Sequence, residues 1–392
     1  MNQPKDAPSA GIDVAGLCRD LIATPSENPP GGEDAVARKV AGLLSAAGFE
    51  VSWHEAQPGR PNVVARLRRG DGRRLILQAH TDTKPAVAPN TASLWTADPF
   101  RAVERDGLLY GLGACDTKGG LAAQLAAACA LAGEPGWSGE LVVQAVADEE
   151  DGSRLGAEYL LTQGLLTADG AIVAEPTSCA PSLAQLGNAW AEITISGRAA
   201  HAGTPERGHD AFRAAIRYIT ELEALLADAA TDPAFPGHPR LNVGDFAMPG
   251  HPGTIPGECR LRCDIRVLPG RERDDVLALY DMAAEKVRRS SGVTVLITRY
   301  QGGGCQSHCI SAEDRLAEAF RAAQHETGQP SATTAFAGGT DARYFAKAGT
   351  PAIVYGPGSL QQAHAPDEFV PVAGLRLAQR QVRAAAWAFL RA

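Results

Sequence analysis

A small set of residues in this chain has types and settings that could do chemistry together. They are His80 and Asp82 in "QAHTDTKP", Asp116 in "GACDTKGG", Glu149 and Glu150 in "ADEEDG", Glu175 in "VAEPT" and His364 in "QAHAPDE". Imidazole and carboxylate without thiolate suit Zn2+, Co2+ or Mn2+. One carboxylate shared between two ions sets them about 3.5–4 Å apart, close enough to clamp both the attacking and the leaving oxygen of a displacement. Two histidines and three carboxylates fill such a site. Asp82, close to His80, can hold the ring nitrogen that faces away from a metal and so fix the tautomer. Glu149 and Glu150 cannot share one role, because neighbouring side chains diverge. One can bind metal while the other faces the water as general base, and spacing alone does not say which.

Such residues act together only if the fold gathers them. A helix "EDAVARKVAGLLSAAG" ends at Gly48, and the short apolar strands "NVVARL", "RRLILQA", "GELVVQAVA" and "GAIVA" follow, with the helices "GGLAAQLAAACALA" and "SRLGAEYLLTQG" between them. Strands alternating with helices predict an α/β sheet covered on both faces. Ligands at the carboxyl ends of its strands lie where open α/β sheets bind things. From about residue 187 the pattern changes to β-α-β-β-α-β, running from "NAWAEITISGR" to "GVTVLITRY", the order of a split βαβ unit. After residue 300 the first pattern returns and closes with the helix "LRLAQRQVRAAAWAFLRA". The expected organisation is one catalytic α/β domain over 1–186 and 301–392, interrupted by a smaller α+β domain over 187–300.

At 392 residues the chain is too long for one ordinary core, which agrees with that division. The formal net charge is −8 and no run of Lys or Arg is dense enough to track a phosphate backbone, so nucleic acid is excluded as a partner. No uninterrupted apolar span is long enough for a membrane helix, and the opening "MNQPKDAPSAGIDVAGLCRD" carries no leader pattern. A cytosolic protein is expected. The 8 cysteines form no CxxC pair, and "CQSHC" at 305–309 lacks a second half, so free structural thiols in a reducing compartment are expected. No GxSxG elbow is present, which argues against a serine hydrolase.

Taken together, "AHTDTKP", "GACDTKGGLAA", "ADEEDGSRLGA", "AEPT", "HAGTPERGHDA", "GGTDAR" and "GPGSLQQAHAPDEFV" resemble the dinuclear zinc amidohydrolases of the M20 peptidase family. Within that family the chain is most similar to the acetylornithine deacetylase and succinyl-diaminopimelate desuccinylase branch, over nearly its whole length. The resemblance implies a zinc-peptidase-like catalytic domain with a mixed sheet, and an inserted ferredoxin-like βαββαβ domain that serves as lid and dimerisation surface. It implies two divalent ions, Zn2+ first with Co2+ or Mn2+ as alternatives. His80 and Glu175 would hold one ion, His364 and Glu150 the other, with Asp116 bridging and a cis peptide at Asp116–Thr117. Glu149 would take a proton from the bridging water and pass it to the leaving amine.

His201 in "RAAHAGTP" matches a histidine that, in relatives dimerised through the lid, reaches the partner subunit's site and hydrogen-bonds the oxyanion. Arg266 in "CDIRVLPG" and Arg343 in "GGTDAR" resemble positions that hold a substrate carboxylate, with Asn242 in "LNVG" as a further candidate. The chain departs from the family where Thr254 replaces a frequent Asn and where "HTDTKP" lacks the usual valine, and neither change touches a ligand. The implied activity is hydrolysis of the amide bond of a small N-acyl amino acid by a homodimer. Alternatives are a dipeptidase or carboxypeptidase-type peptidase and a deformylase of small N-formyl amines. A silent binding relative is a further alternative, against which the presence of Glu149 and every ligand speaks.

Overall fold

The computed structural model describes residues 12–86, 94–237, 239–299 and 304–391. The chain forms two compact units, one from Met1–Leu183, Ile310–Thr334 and Thr340–Ala392, the other from Ala184–Cys309 with Ala335–Gly339. The expected insert over 187–300 lies within the second unit's span; its boundary at 300/301 falls outside the described residues, as does most of the opening segment.

The first unit is built on a mixed sheet. Its strands lie in the order Glu50–Glu55, Pro61–Arg69, Gly139–Val146, Arg74–His80, Gly170–Val173 and Ala352–Val354. The first three pair antiparallel, and the last four run parallel to one another. The parallel strands are buried almost throughout, which is why they read as continuous apolar runs rather than as alternating patterns. Helices Lys118–Gly133 and Val372–Leu390 pack on the Arg74–His80 strand. Lys118–Gly133 is rich in Ala and Leu and buried on nearly every side, as a core helix must be. Gly120 lets it approach closely: a Cβ there would stand 2.9 Å from that of Ala174.

The edge strand Glu50–Glu55, "EVSWHE", was not expected from the sequence. It buries no residue fully, so it carries little of the apolar signal that marks its neighbours. The same holds for Val103–Arg105, whose three residues are exposed and which joins Leu108–Tyr110 and Phe369–Pro371 in a small separate sheet.

The second unit has the chain order β-α-β-β-α-β. Its antiparallel sheet runs Leu241–Ala247, Glu258–Val267, Gly187–Ser196, Thr294–Arg299, with helices Ala211–Ala227 and Arg273–Ser291. Ala189, Ala191, Ile193 and Ile195 alternate on one strand, and Cys259, Leu261, Cys263, Ile265 and Val267 on its neighbour, to make the core face. Tyr218 and Tyr280 are buried there, and each hydroxyl donates to a backbone carbonyl, of Tyr280 at 3.0 Å and Ala189 at 2.9 Å.

Candidate active site

Three neighbouring parallel strands end at the same edge of the sheet. His80 is the last residue of the central one and stands in register with Val146. The chain that continues from Val146 delivers Glu149 and Glu150 in a short turn, and the chain that continues from Val173 delivers Glu175. Strands spaced about 4.8 Å apart therefore bring these side chains within reach of one another. Asp116 enters from the loop before the Lys118–Gly133 helix, across a cis Asp116–Thr117 peptide. His364 enters from the segment after Ala352–Val354, with a left-handed backbone at φ 59°.

The result is two trios of ligand atoms, His80 with Asp116 and Glu175, and Asp116 with Glu150 and His364, each with its atoms within 4.8 Å of one another. Asp116 belongs to both. Its Oδ1 lies 3.1 Å from His80 Nε2 and its Oδ2 3.3 Å from His364 Nε2, which is itself 3.0 Å from Glu150 Oε1. Two ligands at 2.0–2.1 Å from a tetrahedral cation stand about 3.3 Å apart, so these separations fit a divalent ion in each trio. The His80 ring is poised for that task. Its Nδ1 donates to the Asp82 carbonyl at 3.0 Å, which leaves Nε2 facing Asp116 as the nitrogen that would bind metal once its proton is expelled.

Asp82 does more than face His80. Its carboxylate accepts from Asn28 Nδ2 at 2.9 Å, from the Glu150 N–H at 3.1 Å and from the Glu149 N–H at 3.2 Å, and so pins the turn that carries both glutamates. Below it Asp148 accepts from Asn28, Arg60 and the Leu155 N–H, and Arg60 also grips the buried Glu33. On the other side Ser153 donates to Asp341 at 2.5 Å, while Arg343 donates to the Thr340 carbonyl at 2.9 Å and to Ser153 at 3.1 Å. Arg343 is thus built into the network beside the Glu149 turn. The role of Asn28, Arg60, Glu33 and Asp341 was missed in the sequence; of these only Asp341 lies in a motif singled out above, "GGTDAR".

The electrostatics are those of a site short of positive charge. Burial pushes Glu175 well above the usual carboxyl range, and Asp116 and Glu149 add repulsion. Burial pushes Glu149 up to about 8, opposed by His80 and reinforced by Asp341 and Glu150. Burial also raises Asp341, against the pull of Arg343. Asp82 and Asp116 are lowered: burial works against them, but hydrogen bonds with the histidines win. His364 rises in turn to about 10 through Asp116 and Glu150, and His80 rises despite its burial through Asp116 and Asp82. Cations in the two trios would supply the missing charge.

The remaining expected residues lie in the second unit. His201 is exposed, paired with Thr254, and its Nδ1 accepts the Gly203 N–H at 3.0 Å, which leaves the proton of the neutral ring on Nε2. Asn242 stands opposite Asp264, and Arg266 contacts Asp264 Oδ2 at 3.0 Å and donates to the Ala337 carbonyl at 3.3 Å. All 8 cysteines are thiols rather than disulfides, and Cys305, His308 and Cys309 form no ligand cluster among the described residues.

Two ligand trios that share the Asp116 carboxylate at the carboxyl edge of a parallel sheet, with a glutamate beside them, have the residues of a candidate metal-dependent hydrolase centre. A profile of peptidase family M20/M25/M40 matches residues 76–387, and the chain belongs to that family. It is a hydrolase that acts on amide bonds. It is 34% identical over 379 residues to the acetylornithine deacetylase of Proteus mirabilis, covering 91% of this chain and 92% of that one. It is 32% identical over 368 residues to the acetylornithine deacetylase of Photorhabdus laumondii, covering 90% and 91%. Among solved structures, aminopeptidase PepT from Bacillus cereus matches with a TM-score of 0.80 at 20% identity, over 96% of this chain and 98% of that one. YXEP of Bacillus subtilis, a dinuclear metal-binding peptidase of the M20 family, matches at 0.72 and 17%, over 96% and 97%. At those identities the structures establish the fold alone.

Proposed function

We propose that this protein is a cytoplasmic deacylase that hydrolyses the amide bond of a small N-acyl amino acid, in the manner of the acetylornithine deacetylase and succinyl-diaminopimelate desuccinylase branch. The observation that carries the reading is the Asp116 carboxylate, which offers one oxygen to each histidine, with Glu149 alongside. The deacetylase relatives, similar over nine-tenths of both chains, support an acyl amino acid over a peptide. Zn2+ is the proposed ion, with Co2+ or Mn2+ able to replace it, since the donors are imidazole and carboxylate.

Two bound divalent cations supply acidification of a water and polarisation of the amide carbonyl. His80, Asp116 and Glu175 would hold one, and Asp116, Glu150 and His364 the other. Glu149 takes the proton of the attacking water on its carboxylate and returns it to the nitrogen as the C–N bond breaks, so that one water becomes part of a carboxylate and a free amine. The protein acts as a homodimer through the second unit, and His201 of a second copy donates its Nε2–H to the oxyanion. Arg266, Arg343 and Asn242 are the proposed holders of the substrate carboxylate.

Free-amine release from N-acetyl, N-formyl and N-succinyl amino acids and from dipeptides, with Zn2+- or Co2+-loaded enzyme, tests the reading. Turnover of one acyl class is expected, with E149Q at least about 100-fold slower at unchanged metal content. Turnover of dipeptides alone, or none by protein that holds two ions, overturns it.

A further inference from the structure

The loop that presents Asp116 has a structural problem. Between Gly111 and Thr117 the backbone is neither helix nor strand, so its buried N–H groups lack the regular partners that every buried donor needs. The Leu112 N–H donates to the Pro99 carbonyl at 2.8 Å and the Ala114 N–H to the Gly111 carbonyl at 3.1 Å, and one side chain takes the Gly113, Cys115 and Asp116 donors. Glu368 is 2% exposed, and its carboxylate accepts from the Gly113 N–H at 2.9 Å on Oε2, and from the Cys115 N–H at 2.7 Å and the Asp116 N–H at 2.9 Å on Oε1. The Glu368 carbonyl takes a fourth donor, the Gly111 N–H, at 2.9 Å. Immediately beyond it, Phe369, Val370 and Pro371 pair antiparallel with Tyr110, Leu109 and Leu108, the residues that lead into the same loop.

Glu368 also lies four positions after His364. The short segment 364–368 therefore carries a metal-type ligand at one end and, at the other, the carboxylate that holds the backbone of the bridging ligand. The Asp116 loop is tied to the Glu175 side by a different residue: Thr117 Oγ1 donates to the Ala174 carbonyl at 3.2 Å, a bond in which Glu368 has no part. His80 for its part is fixed from its own strand and from Asp82.

We infer that Glu368 is a positioning residue for the metal pair: it locks the Asp116 loop to the His364 segment and so sets the geometry of the Asp116–Glu150–His364 position in particular. This rests on the two-cation reading above. Both trios use Asp116, but only one of them also uses the segment to which Glu368 belongs. Loosening Glu368 lets Asp116 and His364 drift apart, while His80 and Glu175 keep their strand-end positions.

The test is titration of apoprotein with Zn2+ against a competing chelator, and with Co2+ followed by its visible spectrum, for wild type, E368Q, E368D and a His364→Ala reference. Wild type should take two ions; if it does not, the two-cation reading itself fails. Given two in wild type, E368Q should bind one ion within a few fold of normal and the other about 10–100-fold more weakly. The spectrum of its one-ion form should match that of the H364A reference. E368D, which keeps the charge on a shorter arm, should lie between. Equal weakening of both ions, no weakening of either, a one-ion spectrum unlike the reference, or failure of both Glu368 variants to fold overturns the inference.

Discussion

The substitution Asp82→Asn isolates what the carboxylate under His80 does. In the wild type, one oxygen serves Asn28 and the Glu150 N–H while the other serves the Glu149 N–H and stands 3.4 Å from His80 Nδ1. The amide keeps one oxygen. Its best placement retains the Asn28 and Glu150 bonds and turns its NH2 toward the Glu149 N–H and the protonated face of His80, so donors confront donors. A hydrogen bond to a charged acceptor contributes about 1.5–3 kcal/mol, and a donor stranded in the interior costs about 1–3 kcal/mol. D82N should therefore lose on the order of 2–4 kcal/mol of stability, within the margin of a folded domain. D82A strands three donors at once, on the order of 3–9 kcal/mol, and is expected to unfold, which makes the amide the informative variant. Urea denaturation of the metal-free forms measures the first effect. Chelator competition measures the second, a 10–100-fold loss of affinity as His80 and the Glu150 turn lose their common anchor. A D82N protein within about 0.5 kcal/mol of wild type and with unchanged metal affinity would show that Asp82 fixes neither.

The raised histidines make metal binding a proton-releasing event. His364 at about 10 and the raised His80 hold protons in the metal-free protein at neutral pH, and an ion must expel them to use the ring nitrogen. Apparent affinity should rise about tenfold per pH unit for each proton expelled between roughly pH 7 and 9; a pH-independent affinity, with equal calorimetric heats in buffers of different ionisation enthalpy, refutes this. For the metal-free protein alone the sign runs the other way on that side. Stability from the raised histidines is complete below their unfolded value of 6.5 and is lost as pH climbs through the folded values. That from the lowered Asp82 and Asp116 is complete above their unfolded 3.8 and is lost as pH falls. Chelation should also separate the two units in a calorimetric scan. The second unit has its own core and no ligand in either trio, so removing metal should lower the transition of the first unit and leave that of the second in place. A single transition that shifts as a whole refutes it.

Much of the scaffold was legible because parallel strands buried on both faces advertise themselves. "RLILQAH" and "LVVQAVADEE" are apolar runs that end in polar residues, and the polar residue at the end of such a run marks the edge where the sheet opens. The β-α-β-β-α-β order of the second unit was equally plain from its alternating strands and long amphipathic helices. What was not legible depends on contacts between distant parts of the chain. Glu368 meets Gly113 across 255 positions, Asn28 meets Asp148 across 120, and Asp341 meets Ser153 across 188. Each is an ordinary polar residue in an ordinary loop until the chain path brings a particular set of N–H groups or hydroxyls around it.

That difference sorts the acids of the site by physics. Asp82, Asp148 and Glu368 have their lone pairs filled by N–H donors, and Glu33 by the Arg60 guanidinium; these are carboxylates spent on holding the backbone and its turns. Glu149 and Glu175 have no protein donor at their carboxylates among the described residues, and Asp116 meets only the two histidines at its own. Burying an acid costs free energy: burial pushes up Glu149 and Glu175 with no hydrogen bond to oppose it, whereas Glu368, which burial also raises, to about 8, is opposed by its N–H donors. A fold tolerates it where something outside the chain completes the set. The carboxylates left unfilled are therefore the ones free to face cations and a water, and the filled ones are what hold them at ligand distance.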